Sequence, residues 1–202
     1  MDASDFQRNE AGQKMHRLFV GIPVPANVAG ALGGLSRAGG MELARMRWTE
    51  PGKMHITLRF LGGAPDAAIE RMSRRLETIR FSRFDVVLED AALFERVGVF
   101  LVKVQGSPSL LALQRLVEQA AQEAGFGPEN KPFQAHITLA RVRRGTKLGG
   151  SAQQLKAVTR LDSLCKALPA RRFAVETLVL YESIDGKYLR LREFGVEAWS
   201  RE

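Results

Sequence analysis

The chain of 202 residues has few of the features that mark several large protein classes. Its only cysteine, Cys165, cannot form an internal disulfide, which excludes a disulfide-stapled scaffold or a zinc-finger array and favours a cytoplasmic setting. No apolar run approaches the roughly 18 residues that a membrane-spanning helix needs, so we expect no membrane association. Residues 1–16 are polar and lack the apolar segment of a signal peptide, and we expect a flexible extension there.

Common nucleotide-binding and nucleophile motifs are also missing. The sequence contains no P-loop and no dinucleotide-binding glycine pattern. Residues 34–38 come within one residue of a nucleophile elbow, but no strand-like run lies directly before them. By contrast, a hydrophobic content of 45% predicts a folded globule, and a net charge of +8 favours polyanionic partners.

Strand-like and helix-like segments alternate from Arg17 onward, which predicts one α+β domain over residues 17–202. Ser107 and Pro108 are typical of a helix start, and Gly125 of a helix end. Asp185-Gly186 is a hairpin signal. Together the patterns predict about four helices and seven or eight strands. We expect strands at 17–23, 54–61, 84–88, 97–105, 134–142, 173–182 and 188–194, and helices around 28–35, 66–80, 108–124 and 151–164.

One tetrapeptide occurs twice. The sequence His55-Ile56-Thr57-Leu58 recurs unchanged at residues 136–139, so two of the three histidines fall in the same register. Each copy ends a strand-like segment and precedes a helix-like one. Because side chains alternate along a strand, histidine and threonine share one face while isoleucine and leucine occupy the other. Two such strands would bring two imidazoles and two hydroxyls to one cleft, which suits a phosphate.

Paired imidazoles can catalyse phosphodiester cleavage without a metal. One neutral histidine takes a proton from water while the other, as imidazolium, protonates the departing ribose oxygen. The threonine hydroxyls can donate hydrogen bonds to the non-bridging oxygens. Two alternatives remain open: both histidines are structural, or they bind zinc with a distant carboxylate, although no His-x-x-x-His spacing supports this. We interpret His16, which lies outside both repeats, as a solvated residue.

The two motifs and their flanking residues resemble a known family. Paired His-x-Thr motifs are typical of the 2H phosphoesterase superfamily, and the chain is most similar to its RNA 2′,3′-cyclic phosphodiesterases, historically called 2′-5′ RNA ligases. The likeness covers nearly all of the chain from Arg17 onward. It includes residues 17–23, Arg47-Trp48, residues 55–62, Gly106-Ser107-Pro108, Lys131-Pro132-Phe133 and residues 136–141.

The resemblance implies a bilobed fold of two pseudo-twofold-related antiparallel sheets, with outer helices and a central cleft. It also implies an enzyme that opens 2′,3′-cyclic phosphates on RNA 3′ ends or small nucleotides without a metal or cofactor. We expect the chain to be a monomer. By position, His55 matches the proton donor and His136 the proton acceptor. Thr57, Thr138 and Arg141 match phosphate-holding residues.

Strand alternation places Arg59, rather than Arg141, on the same face as the histidines, unless the second strand ends or bulges near Arg141. Both arginines therefore stay candidates for substrate binding. Phe19 is a further candidate, because an aromatic ring there could stack on a base. The family often has a tryptophan before its third helix, whereas this chain has Val99-Phe100-Leu101-Val102.

A cluster of basic residues follows the second motif: Arg141, Arg143, Arg144 and Lys147. It would form a cationic rim that holds RNA backbone, or else a solvated loop of a basic protein. Two other functions stay open. Run in reverse, the same chemistry makes a 2′-5′ ligase, and a chain without turnover would be an RNA-binding module.

Overall fold

The computed structural model describes residues 13–38, 46–143 and 151–196. Within these ranges the chain forms nine strands and four α-helices, with helices and strands largely alternating along the chain. The strands are β1 His16–Pro23, β2 Met46–Trp48, β3 His55–Ala64, β4 Phe84–Phe94, β5 Val99–Val104, β6 His136–Val142, β7 Arg172–Val175, β8 Thr177–Ile184 and β9 Lys187–Gly195. The helices are α1 Ala26–Ala38, α2 Asp66–Glu77, α3 Pro108–Glu123 and α4 Ser151–Lys166.

The strands form one curled antiparallel sheet rather than two separate ones. Its order is β7-β4-β5-β6-β3-β1-β8-β9, and β2 pairs with β6 off this path. The two motif strands, β3 and β6, meet in the middle through the pair Ile56 and Ile137. Four strands of the path therefore lie on each side of a narrow joint, and the repeated tetrapeptides form that joint.

Helix α3 shows why the local sequence folds as predicted. The Ser107 hydroxyl accepts a hydrogen bond from the Leu110 backbone N–H at 3.2 Å, and Pro108 occupies the first turn, where no N–H partner is needed. Gly125 follows the helix at φ +94°, a conformation that costs glycine little. The buried stripe of the helix consists of Leu110, Leu113, Val117, Ala120 and Ala121.

The C-terminal strands differ from the sequence prediction in one respect. The expected strand over residues 173–182 is interrupted at Glu176 and becomes β7 and β8. The two parts pair with opposite halves of the sheet, β7 with β4 and β8 with β1, so one apolar run serves both. The predicted hairpin between β8 and β9 is present, with Asp185 and Gly186 at positive φ.

The prediction that His16 is exposed to solvent is wrong. Strand β1 begins at this residue, and its side chain is buried. The imidazole Nδ1 lies 2.6 Å from a Glu182 carboxylate oxygen, and Nε2 lies 2.8 Å from Asp66. The two carboxylates replace the water that an exposed ring would have bound. Most of the predicted N-terminal extension, residues 1–12, lies outside the described residues. None of the described helices is both long and apolar enough to cross a membrane.

Candidate active site

Both copies of the tetrapeptide open into one cleft of about 1030 Å³. His55 and Thr57 contribute from β3, and His136 and Thr138 contribute from β6. In each copy the isoleucine and leucine are buried, whereas the histidine and threonine are half-buried. The alternation predicted from the sequence thus holds across each His-x-Thr segment, and it brings four candidate side chains to one place.

Each motif histidine is oriented by a backbone carbonyl two residues earlier. His55 Nδ1 lies 2.7 Å from the carbonyl oxygen of Lys53, and His136 Nδ1 lies 2.7 Å from that of Gln134. Since a carbonyl oxygen can only accept, each Nδ1 must carry the hydrogen and donate it. The neutral rings therefore share one tautomer, with a free lone pair on Nε2, the nitrogen that remains available to a ligand.

A β-bulge lies at the last residue of each tetrapeptide. In the pairing of β3 with β1, Thr57 and Arg59 oppose consecutive residues, so Leu58 is the extra residue. In the pairing of β6 with β5, Thr138 and Ala140 do the same, so Leu139 is the extra residue. A bulge of one residue reverses the side-chain alternation that follows it. Each strand therefore turns its next residue away from the cleft.

The bulge in β6 explains the position of Arg141. Simple alternation directs this side chain away from the histidines, but with Leu139 as an extra residue it lines the cleft and is exposed. The equivalent residue in the other strand, Phe60, also lines the cleft and is 58% exposed. The sequence analysis placed Arg141 in the cleft only if β6 ended or bulged nearby. The bulge at Leu139 fulfils this condition and makes Arg141 accessible to a ligand.

The prediction that Arg59 lies in the cleft with His55 and Thr57 is wrong. The alternation argument placed it beside His55 and Thr57, but the bulge turns it to the opposite face, where it is only 7% exposed. Its Nε lies 2.6 Å from Glu118 and its Nη1 3.3 Å from Glu129, and it also donates to the Gly127 carbonyl. Arg59 therefore ties the motif strand to helix α3 and the loop after it.

The lining of the cleft is strongly cationic. Arg47 lies directly opposite Arg141 across the β2–β6 pair, and like charges in that position repel each other. Among the described residues that line the cleft, none is acidic. An anionic ligand would relieve this repulsion. The basic lining residues are Arg17, Arg47, Lys53, Arg141 and Arg143, whereas Arg144 and Lys147 of the predicted rim lie outside the described residues.

His55 stands against an aromatic wall. Its ring centroid lies 4.7 Å from that of Phe19, and Tyr188 meets it edge-on at 5.2 Å. Phe19 in turn stacks on the buried Tyr181 at 4.8 Å. Burial lowers the pKa of His55 to about 4, and the electrostatic influence of His136 and Arg141 acts in the same direction. His55 of the protein alone is therefore neutral at neutral pH.

The same packing changes the interpretation of Phe19. The residue lines the cleft but is only 3% exposed, because Tyr181 and His55 pack against its ring. It supports the histidine rather than offering a platform for a base. The stretch Val99-Phe100-Leu101-Val102, which replaces the tryptophan-bearing stretch of the family, is also fully buried.

Sequence reasoning missed the contribution of Tyr188. It lies in β9, more than 130 residues from His55, and only the tertiary structure brings the two together. The alternating pattern around Tyr188 predicts a strand, but nothing in it places this residue near the motif histidines. Across the part of the chain that the structure describes, no group of three or more His, Cys, Asp or Glu side chains has a geometry that could hold a metal ion.

Comparisons with known proteins show the family of the chain. Residues 47–187 match the family model of the 2′-5′ RNA ligase superfamily. The chain is 33% identical over 115 residues to an RNA 2′,3′-cyclic phosphodiesterase of Aeropyrum pernix, covering 55% of this chain and 65% of that protein. It is 31% identical over 135 residues to one of Archaeoglobus fulgidus, covering 63% and 73%.

The fold has a close structural counterpart as well. The crystal structure of Escherichia coli LigT with 3′-AMP superposes with a TM-score of 0.70 at 22% identity, over 91% of this chain and 99% of that one. At this identity the likeness concerns the fold alone. Since the family model spans well over half of the sequence, the chain belongs to the 2′-5′ RNA ligase superfamily, in the family of the RNA 2′,3′-cyclic phosphodiesterases.

Proposed function

We propose that the chain hydrolyses 2′,3′-cyclic phosphates on RNA ends or nucleotides to 2′-phosphomonoesters, by paired-histidine catalysis that needs no metal. Membership of the family makes the chain a phosphoesterase. The observation that carries the finer proposal is the matched pair of imidazoles. Both donate the Nδ1 hydrogen to a backbone carbonyl, which leaves Nε2 unengaged, and both side chains line one cationic cleft.

The reaction requires two proton transfers across one phosphate. The Nε2 lone pair of His136 takes a proton from water as the water oxygen attacks phosphorus. The bond from phosphorus to the ribose 3′-oxygen breaks, and His55 delivers its Nε2 proton to that oxygen. The product keeps its phosphate on the 2′-oxygen, and a second exchange with water restores both rings. This division of roles comes from the family resemblance, because the two motifs are identical in sequence.

The remaining cleft residues would stabilise the charge that develops on the phosphate. Thr57 and Thr138 lie two residues after the histidines on the same strand faces, so their hydroxyls can donate to the non-bridging oxygens. Arg141 and its cross-strand neighbour Arg47 supply positive charge from the adjoining wall. Because these groups are already held by the sheet, little reorganisation is needed at the moment of reaction.

The low pKa of His55 places a condition on this mechanism. A proton donor must be protonated before the leaving oxygen departs, yet the pKa of about 4 makes His55 of the protein alone neutral at neutral pH. A phosphate anion beside the ring favours the imidazolium and raises the pKa of His55. Substrate binding would therefore prepare His55 as the donor, and proton uptake would accompany binding.

The equivalent arrangement of the two motifs also supports a proposal about the symmetry of the sheet. We infer that the two halves of the sheet are related by a pseudo-twofold axis near Ile56 and Ile137. The support is local: an antiparallel pair with equivalent residues opposite each other, four strands on each side, and bulges at equivalent leucines. Such an axis would bring the two histidines to opposite sides of one bound phosphate.

The decisive experiment is incubation with 2′,3′-cyclic mononucleotides, with and without EDTA, followed by identification of the phosphate-bearing hydroxyl. We expect only the 2′-phosphate, an unchanged rate in EDTA, and no turnover by the double variant His55→Ala/His136→Ala. Wild-type rates in the double variant would refute the mechanism. Salt-dependent RNA binding by the wild type without any product would instead favour an RNA-binding module.

A further inference from the structure

A groove continues from the catalytic cleft past His136. It consists of two adjoining cavities of about 400 and 550 Å³ that share His136, Phe94, Phe133 and Gln134. The smaller cavity also reaches Thr57 and Phe60, which line the cleft itself. Both volumes lie within the range of pockets that hold small organic ligands. We call this continuous surface the His136 groove.

The His136 groove combines flat apolar rings with positive charge. Phe133 is half-buried and lines both cavities, so part of its side chain stays accessible in the groove. Lys103 lies directly opposite His136 across the β5–β6 pair and is exposed. Within the described part of the chain, no acidic side chain lies within ion-pair distance of the Lys103 ammonium. Of the two carboxylates that line the groove, Glu129 is engaged by Arg59, and Glu89 makes no ion pair with Lys103.

Aromatic rings beside an unpaired cation are the surface chemistry that single-stranded nucleic acid recognises. Bases stack on aromatic side chains regardless of sequence, and the backbone follows positive charge. Neighbouring strands of a sheet lie about 4.8 Å apart, so the Lys103 side chain starts one strand spacing from His136. A phosphate adjoining the one that reacts would lie within reach of the ammonium group.

We propose that the His136 groove binds the second nucleotide of an RNA 3′ end, the one that precedes the nucleotide with the cyclic phosphate. This proposal rests on the proposed function. Its base would stack on Phe133, and the phosphate that links the two nucleotides would pair with Lys103. The groove fits this occupant because it is continuous with the cleft and cationic where a linking phosphate would pass. The enzyme would therefore prefer RNA ends to free cyclic mononucleotides.

The experiment compares two substrates that differ by one nucleotide. The kcat/KM values for a 2′,3′-cyclic mononucleotide and for a dinucleotide with the same cyclic end are measured for the wild type, Phe133→Leu and Lys103→Gln. Phe133→Leu keeps an apolar side chain but removes the ring. Matched controls are Phe81→Leu, a half-buried ring that packs on Phe84, and Lys156→Gln on the exposed face of α4.

We expect the wild type to prefer the dinucleotide by at least about tenfold, as one stacked base and one phosphate contact would give. Phe133→Leu should lose most of this preference while its kcat/KM for the mononucleotide stays within about twofold. Lys103→Gln should lower the salt slope of the dinucleotide reaction by about 0.7, the value for one phosphate on a single strand. Neither control should change the preference or the slope.

Three results would overturn the proposal. Equal wild-type rates on both substrates would show no second subsite. Equal losses on both substrates in Phe133→Leu would place the terminal nucleotide in the groove. In a separate assay that joins the cyclic end to a 5′-hydroxyl oligonucleotide, a loss in Phe133→Leu that is absent from hydrolysis would assign the groove to the second RNA strand.

Equilibrium binding separates this proposal from the proposed reaction. The probes are a 2′-phosphorylated mononucleotide and the corresponding dinucleotide, which need no turnover. If neither cyclic substrate is hydrolysed, a Phe133-dependent preference for the dinucleotide would uphold the groove and refute only the reaction. Loss of that preference in binding as well would refute the groove.

Discussion

The two copies of the tetrapeptide have the same residues and the same backbone hydrogen bond, yet their surroundings differ. His55 packs against Phe19, Tyr181 and Tyr188, whereas the one aromatic ring packed on His136 among the described residues is Phe94, at 5.3 Å. The aromatic wall removes water from His55 and lowers its pKa to about 4. The local sequence thus sets the orientation of each ring, while distant residues set the proton affinity of His55.

The residues beyond the two bulges have also diverged. The first position after the bulge faces the interior in both copies: Arg59 is held by ion pairs in one, and Ala140 is fully buried in the other. The second position faces the cleft: Phe60 in one copy and Arg141 in the other. The same bulge therefore precedes a buried structural arginine, Arg59, in β3 and an arginine that lines the cleft, Arg141, in β6.

The largest effects should come from the histidines themselves. His55→Ala and His136→Ala should each lower kcat by about 10²–10⁴-fold, the usual contribution of a general acid or base. A cyclic substrate with sulfur in place of the 3′-oxygen separates the roles. A thiol has a pKa of only about 8.5, so the thiolate leaves without a proton. The sulfur should restore single-turnover rates to His55→Ala alone, and rescue of His136→Ala instead would exchange the two assignments.

The structural role of Arg59 predicts the next largest effect. Arg59→Met removes the ion-pair partner that Glu118 and Glu129 share, and removing one member of a fully buried pair costs roughly 3–5 kcal/mol. We expect a smaller loss in the free energy of unfolding, because both carboxylates keep some contact with water. Urea denaturation measures it. The control Arg75→Met removes an exposed pair with Glu123 and should cost about 0–1 kcal/mol.

A different result would place Arg59 in catalysis. If Arg59→Met kept wild-type stability but lost kcat, the arginine would act on the substrate rather than on the fold.

The pH dependence of stability tests the difference in burial directly. An unfolded histidine binds its proton near pH 6.5, but His55 in the folded chain binds it only near pH 4. The unfolded state therefore takes up more protons in this window, and stability should fall as the pH falls from about 6.5 to about 4. His55→Gln should flatten that fall, as measured by denaturation at several pH values.

The same ring can be followed by NMR titration. Inorganic phosphate should raise the pKa of His55, because the anion would stabilise the imidazolium. A pKa of His55 near 6.5 in the free protein would contradict its desolvation by the aromatic wall.

The smallest effect should come from Gly21, which lies beneath the His55 ring. A Cβ at this position would lie 3.0 Å from the Ile56 carbonyl oxygen and 3.3 Å from His55 Cδ2. Gly21→Ala should therefore displace the ring and lower kcat several-fold, with little change in KM. Gly30→Ala on helix α1 is the control, because nothing lies within 4 Å and a helical alanine should stabilise the fold by about 0.5–1 kcal/mol. Unchanged kcat in Gly21→Ala would show that the ring position is not critical.

Local signals predicted much of the fold. The Ser107 cap, the Gly125 helix end and the Asp185-Gly186 turn were readable because each depends on residues within one turn of the chain. The strand β2 was not predicted, since three residues carry too little periodicity. The exposure of His16 was predicted wrongly, because Asp66 and Glu182 are far away in sequence.

The sequence by itself determined that two imidazoles and two hydroxyls share strand faces, because alternation along a β-strand is a property of the local backbone. Only the tertiary structure decided where the side chains after each motif point. The bulges at Leu58 and Leu139 depend on pairing with β1 and β5, and they send Arg59 inward and Arg141 into the cleft. The desolvation of His55 likewise depends on aromatic residues from both ends of the chain, which meet only when the sheet forms.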